Sequence, residues 1–282
     1  IAVIGGGPAG LSVAWQLRLK GHAITVYEVA GRLGGKFTRV IPESRIPREV
    51  VETELSRIRD VLPHINLQQP LGREELGRMR EDFDFVVLAT GAQTPRMLPI
   101  PGVERAISAL DFLEAAKAGT AACGRRVVVI GAGNVGCDAA TEARRFGAEE
   151  ILLLDVQQPA SFGRERQAAE AAGARFRWPV VTREITATGI TLADGEEIAA
   201  DTVIVSIGDV PDLSFLPEEI AVERGFIRVD SSYRTSDPKV FAIGDVVRPG
   251  LLTEAIGAGR VVAQAIADQT DGRAPPPFRR QM

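Results

Sequence analysis

One pattern recurs along the chain: a short apolar run, a glycine cluster, then apolar residues at helical spacing. The run IAVI (1–4) ends in Gly5-Gly6-Gly7, and residues 8–20 place Leu11, Val13, Ala14 and Leu17 on a helical period until Gly21 stops it. Residues 24–28 (ITVYE) are a second apolar run, so the opening predicts strand, helix, strand. A glycine loop follows at 31–37, then a helix over 48–62 with Pro47 at its first turn, where a missing N–H costs nothing. Residues 64–68 and 83–89 predict further strands, the latter ending in Thr90-Gly91-Ala92. The proline-rich stretch 94–102 reads as a linker and 108–118 as a short helix. At Arg126 the opening pattern starts again with RVVVIGAGNVGCDAA, and 151–155 is again a strand ending in an acid. Residues 184–198 alternate around Asp194-Gly195 and predict a hairpin. Strands at 202–207 and 239–243 and a helix over 253–269 complete the chain, before a proline-rich tail expected to be exposed.

The repeat predicts an α/β fold: two Rossmann-like dinucleotide-binding domains, one inserted in the other. Residues 1–95 and 235–282 are expected to form the first domain and 96–234 the second. A chain of 282 residues with 45% apolar positions can supply a core for each. The net charge of −4 and the lack of any Lys/Arg run argue against a nucleic-acid partner. No apolar run has the length of a membrane span, and no signal peptide opens the sequence, so a cytoplasmic location is expected. Cys123 and Cys137 are too few to ligate an iron–sulfur cluster and too far apart in sequence to form a CxxC pair. Ile1 already falls inside a strand, so the natural protein is expected to begin earlier.

The two glycine clusters carry the candidate chemistry. The first is Gly5-x-Gly7-x-x-Gly10, with Pro8 and Ala9 opening the helix and Glu28 ending the second strand 23 residues after Gly5. The second is Gly131-x-Gly133-x-x-Gly136, with Asn134 and Val135 opening the helix and Asp155 following 24 residues after Gly131. In this motif the first glycine makes the turn, the second lets a pyrophosphate approach the helix N-terminus, and the third lets helix and strand pack. The acid receives the ribose hydroxyls. Ile207-Gly208 ends a strand of the second domain and is expected to line the same nucleotide. Two nucleotide sites in one chain suit hydride transfer between bound cofactors, which requires no protein acid or base. No catalytic side chain and no metal ligand is therefore expected. His22, His64 and Cys137 read as surface or packing residues.

The stretches GGGPAGLSVAWQLRLKGHAITVYE, LGGKF, IPESRIPREVV, VVLATGA, VVVIGAGNVGCDAA, FGAEEILLLD and VFAIGD together resemble the glutamate synthase small (beta) subunit family. That family is related to the flavin-entry segment of dihydropyrimidine dehydrogenase. The resemblance implies FAD in the first domain and NAD(P)H in the second. It implies that Gly34, Gly35 and Lys36 follow the FAD ribose, that Arg45 lies near the flavin phosphates or ring, and that Leu71 offers a backbone contact at the adenine. It further implies that Ala89, Thr90 and Gly91 line the FAD. Gly244 and Asp245 would sit beside the ribityl and pyrophosphate, and Leu252, Thr253 and Glu254 would open a helix facing the flavin's pyrimidine edge.

Two departures alter this picture. The N-terminal cluster-binding segment common in the family is absent, so an iron–sulfur electron-transfer protein or catalytic subunit is expected as partner. In place of arginines that hold a 2′-phosphate, the chain has Asp155-Val156-Gln157, which favours NAD(H); Arg164 and Arg166 lie close enough in sequence to restore NADPH binding. The expected function is an electron-transfer subunit that moves hydride between NAD(H) and the flavin N5 and exchanges electrons with its partner, as in molybdenum or tungsten enzymes. The alternatives are the small subunit of glutamate synthase and a structural, non-catalytic flavoprotein.

Overall fold

The computed structural model describes residues 1–270. The chain forms two compact units, one comprising Ile1–Thr38, Arg48–Thr94 and the chain from Asp209 onward, the other Arg39–Pro47 and Pro95–Gly208. The expected tail lies outside the described residues.

In the first unit, five parallel strands run in the order Val240–Ala242, Val86–Leu88, Ala2–Ile4, Thr25–Tyr27, His64–Asn66. Ala2–Ile4, Val86–Leu88 and Val240–Ala242 are buried throughout, as expected of parallel strands covered on both faces. The helix Pro8–Leu19 packs against the long helix Leu252–Thr270. Their approach depends on Gly259, where a Cβ would lie 2.7 Å from both Val13 N and Ser12 Oγ.

The second unit repeats the arrangement with Ile107–Ser108, Thr202–Val205, Arg126–Ile130, Glu150–Leu154 and Ala174–Arg177, again all parallel. Its equivalent helix is Asn134–Arg145. In each sheet the strand that runs into the glycine turn, Ala2–Ile4 or Arg126–Ile130, is central, with the next strand in sequence on one side and a later strand on the other. Such a reversal of strand order opens a crevice at the carboxyl ends of the strands.

The boundaries differ from the sequence expectation in two places. Residues 209–234 group with the first unit because Phe215, Leu216, Ile220 and Ile227 share a core with Ala2, Val86, Leu88 and Val240. Residues 39–47 group with the second because Val40 is buried among Phe112, Leu113 and Cys137. The expected hairpin is part of a three-stranded antiparallel sheet, Thr182–Thr186, Gly189–Leu192 and Glu197–Ala199. The helices Arg73–Asp82 and Gly163–Ala171 and the strand Ala174–Arg177 were not anticipated.

Candidate functional site

The first cradle begins where the strand Ala2–Ile4 stops. Gly5 has φ +110°, and a Cβ there would collide with the carbonyl of Ala89, so only glycine fits. A Cβ on Gly10 would collide with Gly5 O, which sets how closely helix and strand approach. Gly7 is different: no atom lies within 4 Å of where its Cβ would be, and it begins the helix with no side-chain cap. The helix thus presents uncapped N–H groups beside open space. Glu28, only 7% exposed, accepts from Gly6 N through Oε2 (2.6 Å) and from Ala30 N through Oε1 (2.8 Å).

The second cradle repeats this nearly atom for atom. Gly131 has φ +105°, and its Cβ would collide with Ser206 O; a Cβ on Gly136 would collide with Gly131 O. Gly133 has open space at its Cβ and starts an uncapped helix. Asp155 accepts from Ala132 N through Oδ2 (2.9 Å) and from Gln157 N through Oδ1 (3.2 Å). The backbone agrees too: Gly5 N donates to Tyr27 O and Gly131 N to Leu154 O, both at 2.8 Å. A carboxylate has about four acceptor sites, so each acid keeps capacity for ribose hydroxyls after its two backbone bonds. The residues in both units fit a dinucleotide's pyrophosphate and ribose.

Around the first cradle the structure gathers most of the expected residues. Gly34 donates to Gly6 O at 2.7 Å, and a Cβ on Gly35 would lie 3.2 Å from Gly7 Cα. Gly244 would place its Cβ 3.0 Å from that of Ala9. Lys36 Nζ lies 2.7 Å from Asp209 Oδ2 and 3.7 Å from Asp245 Oδ2. Burial pushes the Asp245 carboxyl up, against the opposing pull of Lys36. Thr90 Oγ1 is buried without a partner directly after Ala89, and Gly91 follows with φ +72°. Leu71 packs at the edge of the first unit's core. Leu252 and Thr253 begin the last helix, but the Glu254 carboxylate turns back onto Leu251 N at 2.7 Å.

The second cradle has its own neighbours. Asn134 Oδ1 accepts from Phe162 N at 2.9 Å, and Val135 is exposed. Ile207-Gly208 follows Ser206, with Gly208 at φ +90°.

Arg45 belongs to the 39–47 segment of the second unit, where its guanidinium pairs with Asp138 Oδ2 at 2.6 Å and with Glu165. Burial pushes the Asp138 carboxyl up to about 6, partly offset by Arg45. Cys137 is fully buried, and burial raises its thiol's pKa, as suits a packing residue. His22 is half-buried and His64 exposed. Sequence reading missed Ser206, the counterpart of Ala89, although VIVSIGD parallels VVLATGA. It also missed Asp209, whose partner Lys36 is 173 positions away.

Residues 1–259 match the family model described as pyridine nucleotide-disulphide oxidoreductase. The chain is 30% identical to the glutamate synthase [NADPH] small chain of Mycobacterium tuberculosis, covering 94% of this chain and 66% of that one. It is also 30% identical to the NADP(+)-dependent formate dehydrogenase subunit beta of Moorella thermoacetica, covering 94% and 43%. The chain therefore spans about two thirds or less of these relatives' lengths. Among solved structures, the thioredoxin reductase of T. acidophilum superposes with a TM-score of 0.74 at 21% identity, over 96% of this chain and 98% of that one. Among the described residues, no helix is long and apolar enough to cross a membrane. The chain belongs to the pyridine nucleotide-disulphide oxidoreductase family, an oxidoreductase whose cofactors are FAD and a nicotinamide nucleotide.

Proposed function

We propose that this chain is the flavin-bearing electron-transfer part of a larger enzyme, exchanging electrons between NAD(H) and an iron–sulfur partner. The observation that carries this reading is the duplicated cradle: two uncapped helix starts, each with open space at its middle glycine and an acid fixed by two backbone N–H groups. In this reading the first unit holds FAD, with Glu28 at its adenosine ribose and Gly34, Gly35, Lys36, Thr90 and Asp245 along it. The second holds the nicotinamide nucleotide, with Asp155 at the ribose. Bound together, the two cofactors supply the hydride and electron chemistry. The chain's residues bind and orient them.

The partner is inferred from the relatives, which are named as subunits or chains of larger enzymes. Those names also support a second reading, the small subunit of glutamate synthase. Copurification from the native source decides between them: a glutamine-dependent partner supports the second, and any other cluster protein the first.

Asp155 argues for NAD(H) although the relatives' names specify NADPH or NADP(+). A 2′-phosphate bearing about −1.5 to −2 charge would face a fixed carboxylate. Equilibrium binding should favour NADH over NADPH at least tenfold, and Asp155→Asn should narrow that ratio. A wild-type preference for NADPH refutes the assignment.

A further inference from the structure

The main chain of Asp155 is bonded to the last residue of the strand Ala174–Arg177 and to the segment just beyond it. Its N–H donates to Arg177 O at 3.2 Å, and its carbonyl accepts from Val180 N at 2.8 Å. Trp178 lies between those two partners in sequence, so its main chain runs beside that of Asp155. Trp178 is 40% exposed, and Val156, the residue after Asp155, is 63% exposed. Single exposed apolar side chains are ordinary on a protein surface. Two of them on chain segments that flank a fixed, ribose-competent carboxylate suit a flat, apolar-faced group joined to a sugar diol.

The indole is also supported. The Arg166 guanidinium carbon lies 4.8 Å from the centre of the Phe176 ring and 5.9 Å from that of Trp178. Its Nε pairs with Glu170 Oε1 at 2.9 Å, one turn along the helix Gly163–Ala171. An arginine stacked on two rings and paired with a carboxylate has its charge balanced and its direction set.

We propose that Trp178, with Val156, is the platform on which the adenine of the pyridine nucleotide rests, and that Arg166, tied to Glu170, props the indole instead of gripping a 2′-phosphate. This rests on the assignment of NAD(H) to the second unit. The ligand class is an adenosine nucleotide with a free 2′,3′-diol.

Calorimetric titration of the full chain with ADP-ribose and with 2′,5′-ADP tests the platform and the NAD(H) assignment separately. Wild type should bind ADP-ribose more tightly; the opposite order overturns the NAD(H) reading and the role given to Arg166. Both probes carry adenine, so Trp178→Ala should weaken both about tenfold, and Trp178→Phe should stay within about threefold of wild type. Unchanged binding by Trp178→Ala overturns the platform, whichever probe wild type prefers. Glu170→Gln should raise the affinity for 2′,5′-ADP several-fold by uncovering Arg166, and no rise overturns the prop. The chain has two tryptophans, Trp15 and Trp178. In a Trp15→Phe background, ADP-ribose should quench the remaining emission, and an unquenched signal at saturation also overturns the platform.

Discussion

The three glycines of each cradle do different physical work, and single substitutions separate them. At Gly7 and Gly133 an added methyl meets no protein atom, so alanine costs under about 1 kcal/mol, mostly as a poorer helix cap. The methyl would nonetheless occupy the approach to the helix N-terminus, and Gly7→Ala should lose FAD while melting close to the wild-type apoprotein. At Gly10 and Gly136 the methyl would strike a backbone carbonyl. Gly136→Ala should destabilise the second unit by about 1–3 kcal/mol, read by denaturant unfolding, despite alanine's better helix propensity. Asp138 gives a pH signature. Its carboxyl titrates near 6 when folded, against 3.8 for the free group, chiefly because it is buried. Between those values the folded state binds more protons than the unfolded one, so this group's contribution to stability falls as pH rises from about 4 to 6 and is flat above. The cost at neutral pH is on the order of 3 kcal/mol, reduced by whatever relaxation brings water to the site. Asp138→Asn should flatten the stability profile over that window; an unchanged profile overturns the assignment of the slope to Asp138.

At the scale of elements, the contact between the helices Pro8–Leu19 and Leu252–Thr270 holds the beginning and end of the first unit together. Ser12 Oγ donates to Ile256 O at 2.8 Å, and Gly259 lets the backbones come close. Gly259→Val should lower the melting temperature by several degrees and weaken FAD retention in parallel, since the helix it would displace, Pro8–Leu19, starts at the first cradle. This contact was not legible in the sequence, because its partners are separated by about 244 positions. The strand–turn–helix openings were legible, because an apolar run followed by glycines and a helical period is a local signal. The helices Arg73–Asp82 and Gly163–Ala171 were not, because their faces are mostly polar and each buries a single side chain, Leu76 and Ala169.

On the scale of the whole molecule, each unit has its own apolar core, and each cradle is built wholly within its unit. Damage to one cradle should therefore spare the other. Gly133→Ala should retain stoichiometric FAD, seen in the flavin absorbance, while losing NADH binding by at least tenfold. Loss of flavin from that variant would show that the two sites are not independently formed. The sequence alone determined the α/β class, the duplication, both glycine turns and their acids, since these depend on neighbours within about 25 positions and on the steric freedom of glycine. Only the tertiary structure decided where the chain leaves and re-enters each unit. Residues 209–234 and 39–47 changed sides because apolar residues there fill cores built by distant strands. The ion pairs of Arg45 with Asp138 and of Lys36 with Asp209 were likewise hidden, because an ion pair depends on distance in space and no local pattern records it.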